Sequence, residues 1–315
     1  SNFAGDGSLL PANDVLSPRT QRDFVTVFAR NGQYHGVQYG IPIAGSVRGL
    51  FYNKDIFEQA GISEPPRTWA QLEADARTIE RRTGKIGYAL PLGPEEPQAE
   101  FSLFMWGNGG DWFRNGKWVI DNPRNVAALR FMRKLAGESL TQRHPGNTNR
   151  AEAWKLFEQG RAGMVMGSSF LPGLLYEDAP NLRFGTAPIP SNGGRYRFTL
   201  GVEDYLLAFR ATKHRIAVNK FLDFVYSPAI YGQFIKVHGF LPVTKSVSKQ
   251  VAARDPIQRV FINLASVAKF YPTTNPVWGA LAPKVKSTLG LALEGPVTPQ
   301  QVLDGLQRSA LRGGR

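Results

Sequence analysis

The sequence predicts an α/β protein, and three observations carry that prediction. Segments whose apolar residues recur at helical spacing alternate with short apolar runs of strand length. The helical segments open on capping signatures and close on glycines. No internal repeat or charged low-complexity linker interrupts the alternation. A chain of 315 residues with 42% hydrophobic residues is long enough to bury two cores, so one or two domains are expected.

Thr68 followed by Gln71 makes a capping box, in which the hydroxyl accepts from the backbone three residues on and the amide reaches back. A helix is predicted to start at Trp69, with Leu72, Ala76 and Ile79 on one face and Gly84 as the left-handed residue that closes it. A second helix is predicted after Asn125, with Leu129, Met132 and Leu135 facing inward. Asn149 with Glu152 opens another, Gly160 ends it, and Gly163-Met164-Val165-Met166 follows as a buried strand. Leu182 to Ile189 and Tyr205 to Phe209 read as strands separated by the turn residues Ser191-Asn192-Gly193-Gly194. Val218, Phe221, Leu222 and Val225 have amphipathic helical spacing, and Ser227-Pro228 starts the next helix. Thr298-Pro299 with Gln301 combines an N-cap, a proline at the first helical position and a capping-box residue, and this last helix packs through Val302, Leu303 and Leu306.

Composition narrows the function classes. The absence of cysteine rules out disulfides, thiolate zinc sites and cysteine nucleophiles, and suits a protein exported to an oxidising space without staples. The formal net charge of +13 raises the question of a nucleic-acid partner. Lys and Arg are scattered, however, with only pairs such as Arg81-Arg82 and a loose cluster at Arg308, Arg312 and Arg315, so a solvated basic surface is the reading and no nucleic acid is expected. No stretch approaches the roughly 20 consecutive apolar residues of a membrane-spanning helix. The start, Ser1-Asn2-Phe3-Ala4-Gly5-Asp6-Gly7, lacks the basic and apolar regions of a signal peptide. The histidines His35, His144, His214 and His238 show no metal-ligand spacing, so no metal is expected, and no P-loop, dinucleotide fingerprint or Gly-x-Ser-x-Gly elbow is present, so no cofactor is expected.

The most informative stretch runs Gly40-Ile41-Pro42-Ile43-Ala44, then Leu50-Phe51-Tyr52-Asn53-Lys54-Asp55, Ala60-Gly61, Pro65-Pro66, Thr68-Trp69 and Leu72. Asn108-Gly109-Gly110, the helix, glycine and Ala-Met pattern of Ala153 to Met166, and Gly239-Phe240-Leu241-Pro242-Val243 follow in order. Through these landmarks nearly the whole chain resembles the extracellular solute-binding proteins of carbohydrate ABC transporters, the maltose-binding-protein-like family. The resemblance implies a type II periplasmic-binding-protein-like fold, two α/β lobes joined by a hinge with the ligand held between them. It places 1–44 and 205–269 in the first lobe and 45–204 and 270–315 in the second. It also implies that family members carry a further strand, helix and strand before the point Ser1 matches, so the first lobe is expected to be incomplete.

A sugar offers apolar CH faces and a rim of hydroxyls, which calls for flat aromatic rings and for planar side chains with paired donors or acceptors. By the resemblance Trp278 is the leading stacking candidate, and Phe170 takes the other ring position, where Gly167-Ser168-Ser169-Phe170 departs from the family's Gly-Pro-Trp. Trp106 is a further ring candidate, with a buried helix position as its alternative. The polar candidates are Ser46 and Arg48 after the first crossing, where the guanidinium fork of Arg48 suits a hydroxyl or a carboxylate. At the second crossing Gly201-Val202-Glu203-Asp204-Tyr205 replaces the family's Gly-Gly-Trp. Glu203 and Asp204 there point to a polar ligand end or to a salt bridge with Arg48. Gln98 and Glu100 are expected to be solvated loop residues.

An enzyme reading fails on geometry. Adjacent residues on a strand point to opposite faces, so Glu203 and Asp204 are poorly placed to flank one glycosidic bond. The resemblance implies instead a periplasmic or extracellular receptor, anchored or free, that closes on a carbohydrate and docks on membrane permease subunits. The alternative keeps the fold and changes the ligand to an acidic sugar or a glycerol phosphate derivative.

Overall fold

The computed structural model describes residues 2–314, so Ser1 and Arg315 lie outside the described residues. The chain divides into two compact units: unit 1 comprises 1–47, 168–173 and 201–270, and unit 2 comprises 48–167, 174–200 and 271–315.

Unit 1 is built on the first half of a long strand, β1 (Ile41–Asn53). Its antiparallel partner in this unit is the later of the strands read from sequence, and in unit 2 it gains others. Between them the chain adds α1 (Trp69–Thr83), β2 (Ile86–Ala89), α2 (Pro97–Gly107), α3 (Pro123–Gly137), α4 (Arg150–Glu158), β3 (Ala162–Ser168) and β4 (Phe184–Ala187). Later in the chain come, among other elements, β5 (Thr199–Leu206), α5 (Arg215–Val225), α6 (Pro228–His238), β6 (Ala268–Lys269), α7 (Pro276–Thr288) and α8 (Pro299–Gly313).

In unit 1, Ile41 of β1 lies opposite Leu206 of β5 and Val47 opposite Gly201, with a register shift between Pro42 and Ala44. β6 lies on the other side of β5. Proline offers no N–H to a ladder, and an irregularity at Pro42 accommodates that loss. Two tyrosines occupy carbonyls nearby: Tyr226 donates to the Pro42 carbonyl at 2.7 Å and Tyr231 to the Ile43 carbonyl at 2.8 Å. The core of this unit is Leu10, Phe24, Phe28, Ile41, Tyr231, Leu241, Val243 and Phe261, all buried.

In unit 2 the second half of β1 pairs antiparallel with β4, Leu50 opposite Ala187 and Asn53 opposite Phe184. β3 stands between β1 and β2, and runs parallel to β2. Every residue of β3 is buried, as its continuous apolar run requires of a strand covered on both faces. α1 lays Leu72, Ala76 and Ile79 into the core behind a complete Thr68–Gln71 capping box, and Gly84 closes it at φ 64°. Trp69 stacks on Phe131 at 4.6 Å between centroids and an interplanar angle of 6°.

Some element readings are corrected. α3 begins at Pro123, capped by Asn122, three residues before the predicted start. Asn125 is instead a buried residue whose amide donates to the carbonyls of Asp111, Val119 and Ile120, holding the loop ahead of the helix. The strand read at Tyr205 to Phe209 lies earlier, at Thr199–Leu206, because its pairing with β1 ends at Leu206. In α5 Leu222 is buried, whereas Phe221 is 60% exposed and lies outside the packed face.

Candidate functional site

The convergence of polar groups in unit 2 is the strongest site among the described residues. Arg48 sits on β1, buried at 5% exposure, and its Nη2 donates to Glu96 Oε2 at 2.9 Å. Glu96 immediately precedes α2, and the same oxygen accepts from Arg150 Nη1 at 2.9 Å. Arg150 opens α4 and also donates from Nη2 to Glu95 Oε1 at 2.8 Å. Both guanidinium groups lie over the Trp154 ring, 5.8 Å and 4.9 Å from its centroid. The Trp154 Nε1 donates to the Met166 carbonyl at 2.9 Å, which fixes that ring against β3. Two cations, two carboxylates and one ring face thus form a network in which each positive charge is offset inside the protein.

Next to this network lies a second polar layer. Glu100, on α2, is buried, and Tyr88 of β2 donates its hydroxyl to Glu100 Oε1. Burial pushes the Glu100 carboxyl up to about 8, against the opposing pull of the Tyr88 hydrogen bond and the Arg48 charge. Tyr271 is raised above the usual phenol range, first by burial and then by the charge of Glu96. Among the described residues, Arg48 Nη1, Arg150 Nε, Gln98 Oε1 and Tyr271 Oη are buried atoms without a hydrogen-bond partner. Buried polar atoms are normally paired, so unpaired donors and acceptors within one unit mark places where something else completes the bonding.

The aromatic side of unit 2 adjoins it through Tyr271. That ring stacks on Trp278 at 5.3 Å and 16°, and Trp278 stacks on Trp118 at 6.4 Å and 10° while Trp112 meets it edge-on at 5.3 Å. Trp278 is buried at 7% exposure. Trp106 is buried in α2 and donates from Nε1 to Asp111 Oδ1 at 3.1 Å.

Unit 1 holds the other candidates. Ser46 is buried on β1, opposite Val202 of β5. Phe170 is half-buried and meets Phe240 edge-on at 6.2 Å. Glu203 is half-buried on β5; its Oε1 accepts from Asn31 Nδ2 at 2.5 Å and from the Tyr205 hydroxyl, and its Oε2 has no partner among the described residues. Burial pushes this carboxyl up to about 7, with the two hydrogen bonds opposing. Asp204 is exposed.

The structure therefore gathers Arg48 and Trp278 with residues the sequence reading did not select. Glu96, Arg150 and Trp154 stand far from Arg48 in sequence, and the available signal was the Asn149–Glu152 capping box, which fixes Arg150 at the first position of a helix. The salt bridge read between Arg48 and Glu203 or Asp204 is corrected: Arg48 pairs with Glu96, and Glu203 accepts instead from Asn31 and Tyr205. Gln98 and Glu100 are buried residues of α2 and not solvated loop residues, because the helix starts at Pro97.

Residues 3–231 match the bacterial extracellular solute-binding protein family. A relative from Brucella abortus (strain 2308), named as a binding protein, is 31% identical over 307 residues, 96% of this chain and 74% of that one. An arabinooligosaccharide-binding protein of Bacillus subtilis (strain 168) is 27% identical over 71% of this chain and 53% of its own. The sn-glycerol-3-phosphate-binding periplasmic protein UgpB of Rhizobium meliloti (strain 1021) is 24% identical over 79% of this chain and 60% of its own. Among solved structures, maltose-bound MalE3 of T. maritima has a TM-score of 0.86 at 21% identity, covering 98% of this chain and 81% of that one. A cyclic alpha-maltosyl-1,6-maltose binding protein from Arthrobacter globiformis has a TM-score of 0.82 at 24% identity, covering 99% and 81%. At these identities the structural likeness speaks for the fold, which is the two-lobe α/β fold of periplasmic binding proteins. The chain belongs to the bacterial extracellular solute-binding protein family.

Proposed function

We propose that this protein is the substrate-binding component of an ABC importer and that its ligand is a carbohydrate, an oligosaccharide or a sugar derivative. The observation that carries the reading is the set of unpartnered buried atoms Arg48 Nη1, Arg150 Nε, Gln98 Oε1 and Tyr271 Oη in unit 2, the last on the ring that stacks on Trp278. Two donors, an acceptor and a phenol next to ring faces suit a molecule with a hydroxyl rim and CH faces. The internal offset of both guanidinium charges by Glu95 and Glu96 favours neutral hydroxyls over an anion. In unit 1 we assign ligand-facing roles to Ser46, Phe170, Glu203 and Asp204, and in unit 2 to Arg48 and Trp278; Trp106 supports the second set from the core. We assign unit 1 to the first lobe and unit 2 to the second. The partners follow from the assignment: permease subunits in the membrane, met from the periplasmic or extracellular side.

The second reading, an acidic sugar or a glycerol phosphate derivative, draws on the two guanidinium groups and on the relative named for sn-glycerol-3-phosphate. Titration calorimetry and tryptophan fluorescence against maltose, arabinooligosaccharides, galacturonate and sn-glycerol-3-phosphate separate the two. Saturable binding of a neutral sugar is the expected result. Binding of the anions alone replaces the first reading by the second, and silence toward the whole panel overturns both.

A further inference from the structure

We propose that Glu95 sets the charge class of the ligand: its carboxylate fills an anion-holding position beside Arg150 and so confines the arginine pair to neutral hydroxyls. The inference rests on the carbohydrate reading for the identity of the ligand and on geometry for the rest. Glu95 Oε1 accepts from Arg150 Nη2 at 2.8 Å, and its Oε2 accepts from the Ala151 N–H, in the first turn of α4, at 3.4 Å. Its own N–H donates to Oδ1 of Asn149, the N-cap of that helix, at 3.1 Å. A guanidinium edge and a helix N-terminus are what proteins use to hold a free carboxylate or phosphate. Here a side chain of the same chain takes that place, and because it is 34% exposed its removal opens the place to solvent.

Arg150 gives Nη2 to Glu95 and Nη1 to Glu96, which leaves Nε, a buried atom without a partner among the described residues. Nε and Nη2 form one edge of the planar group, an edge that can grip both oxygens of a carboxylate. With Nη2 engaged, that edge cannot close on a ligand anion and offers a single N–H, enough for a hydroxyl. The charges agree with the geometry. Arg48 and Arg150 face Glu95 and Glu96, so an incoming anion meets a balanced quartet in which both acids repel it at close range. An occupied position and a repelling charge together act against the wrong ligand. Without Glu95, the Nε–Nη2 edge and the Ala151 N–H are released together, and the quartet becomes a trio of net positive charge.

Titration calorimetry of the full chain at constant ionic strength, with galacturonate, sn-glycerol-3-phosphate, maltose and an arabinooligosaccharide, tests this. Glu95→Ala is expected to bind one of the two anions at least about tenfold more tightly than the wild type does, and to bind the neutral sugar more weakly because Arg150 loses a tether. Opposite signs set this apart from a loosened fold, which weakens both. Glu95→Gln keeps the shape and loses the charge; it is expected to show a smaller gain of the same sign, and it serves where Glu95→Ala does not fold. Adding Arg150→Lys to either variant is expected to erase the gain, since an ammonium has no planar edge. Anion affinity that is unchanged in both variants, that falls together with sugar affinity, or that rises regardless of Arg150, overturns the assignment. If anion affinity rises as expected and the wild type binds no neutral sugar, the role of Glu95 stands and the carbohydrate reading fails. A sugar that binds with no anion gain keeps the carbohydrate reading and removes Glu95 from it.

Discussion

At the scale of single residues, the Arg48–Glu96–Arg150 network has unequal tolerance for change. Arg48→Ala takes one cation from a half-buried carboxylate and leaves the other, so the cost is expected below the about 3–5 kcal/mol of a fully buried pair, read from urea unfolding. Arg48→Lys keeps the charge and loses the planar fork over Trp154, and it should recover only part of that loss. Gly110 is constrained differently: a Cβ there would lie 1.9 Å from Asn125 Oδ1 and 2.9 Å from Met105 Cγ. Asn125 is held by three carbonyls and cannot retreat without breaking those bonds, so Gly110→Ala is expected to destabilise by about 1–3 kcal/mol in the same assay. The sequence marked Gly110 through its turn motif but gave no sign of the amide behind it. Arg48 was likewise legible as a candidate, while its partners were not, since neither Glu96 nor Trp154 carries a local pattern that points to a residue so distant in the chain.

At the scale of elements, the helices that announced themselves did so through local chemistry. The boxes at Thr68–Gln71, Asn149–Glu152 and Thr298–Gln301 are complete, and Gly84 and Gly239 take the left-handed conformation that closes their helices. Capping is decided within four residues, so it can be read from sequence without knowing the fold. Thr68→Ala should cost about 1 kcal/mol of stability, visible as a lower thermal midpoint, with Thr68→Ser close to wild type. Which face of a helix is covered is a tertiary matter, and there sequence reasoning failed. Spacing alone placed Phe221 with Leu222 on one apolar side of α5, yet Ile216, Phe221 and Phe224 are each more than half exposed. Strand limits failed for a related reason: β5 ends where its partner β1 stops pairing, and the apolar run beyond it continues regardless.

At the scale of the whole molecule, the fold was legible because the family landmarks are spread along the chain and each records a local backbone need. The balance of charge against pH was not legible, because it depends on burial. Three carboxyls are raised by desolvation: Asp75 to about 6, Glu203 to about 7 and Glu100 to about 8. In the unfolded chain each of these groups titrates near the ordinary carboxylate range, about 4. Between that value and its folded value, each group binds a proton in the folded state and not in the unfolded one, so stability falls as pH rises through the interval. The contribution of each is complete below the unfolded value and gone above the folded one. Glu58 and Glu73 work oppositely, held below the usual range first by the hydrogen bonds of Arg183 and Lys134, and they lose their contribution only as pH falls through their lowered values. Glu58 is exposed and screened, so the raised groups dominate on the alkaline side. Unfolding free energy is therefore expected to decline steadily from about pH 5 to about pH 8, and the triple variant Asp75→Asn, Glu203→Gln, Glu100→Gln should flatten that decline while leaving the acid limb in place. Urea unfolding at half-unit pH steps measures both limbs, and a wild-type curve that rises toward pH 8 would refute the burial argument for all three acids.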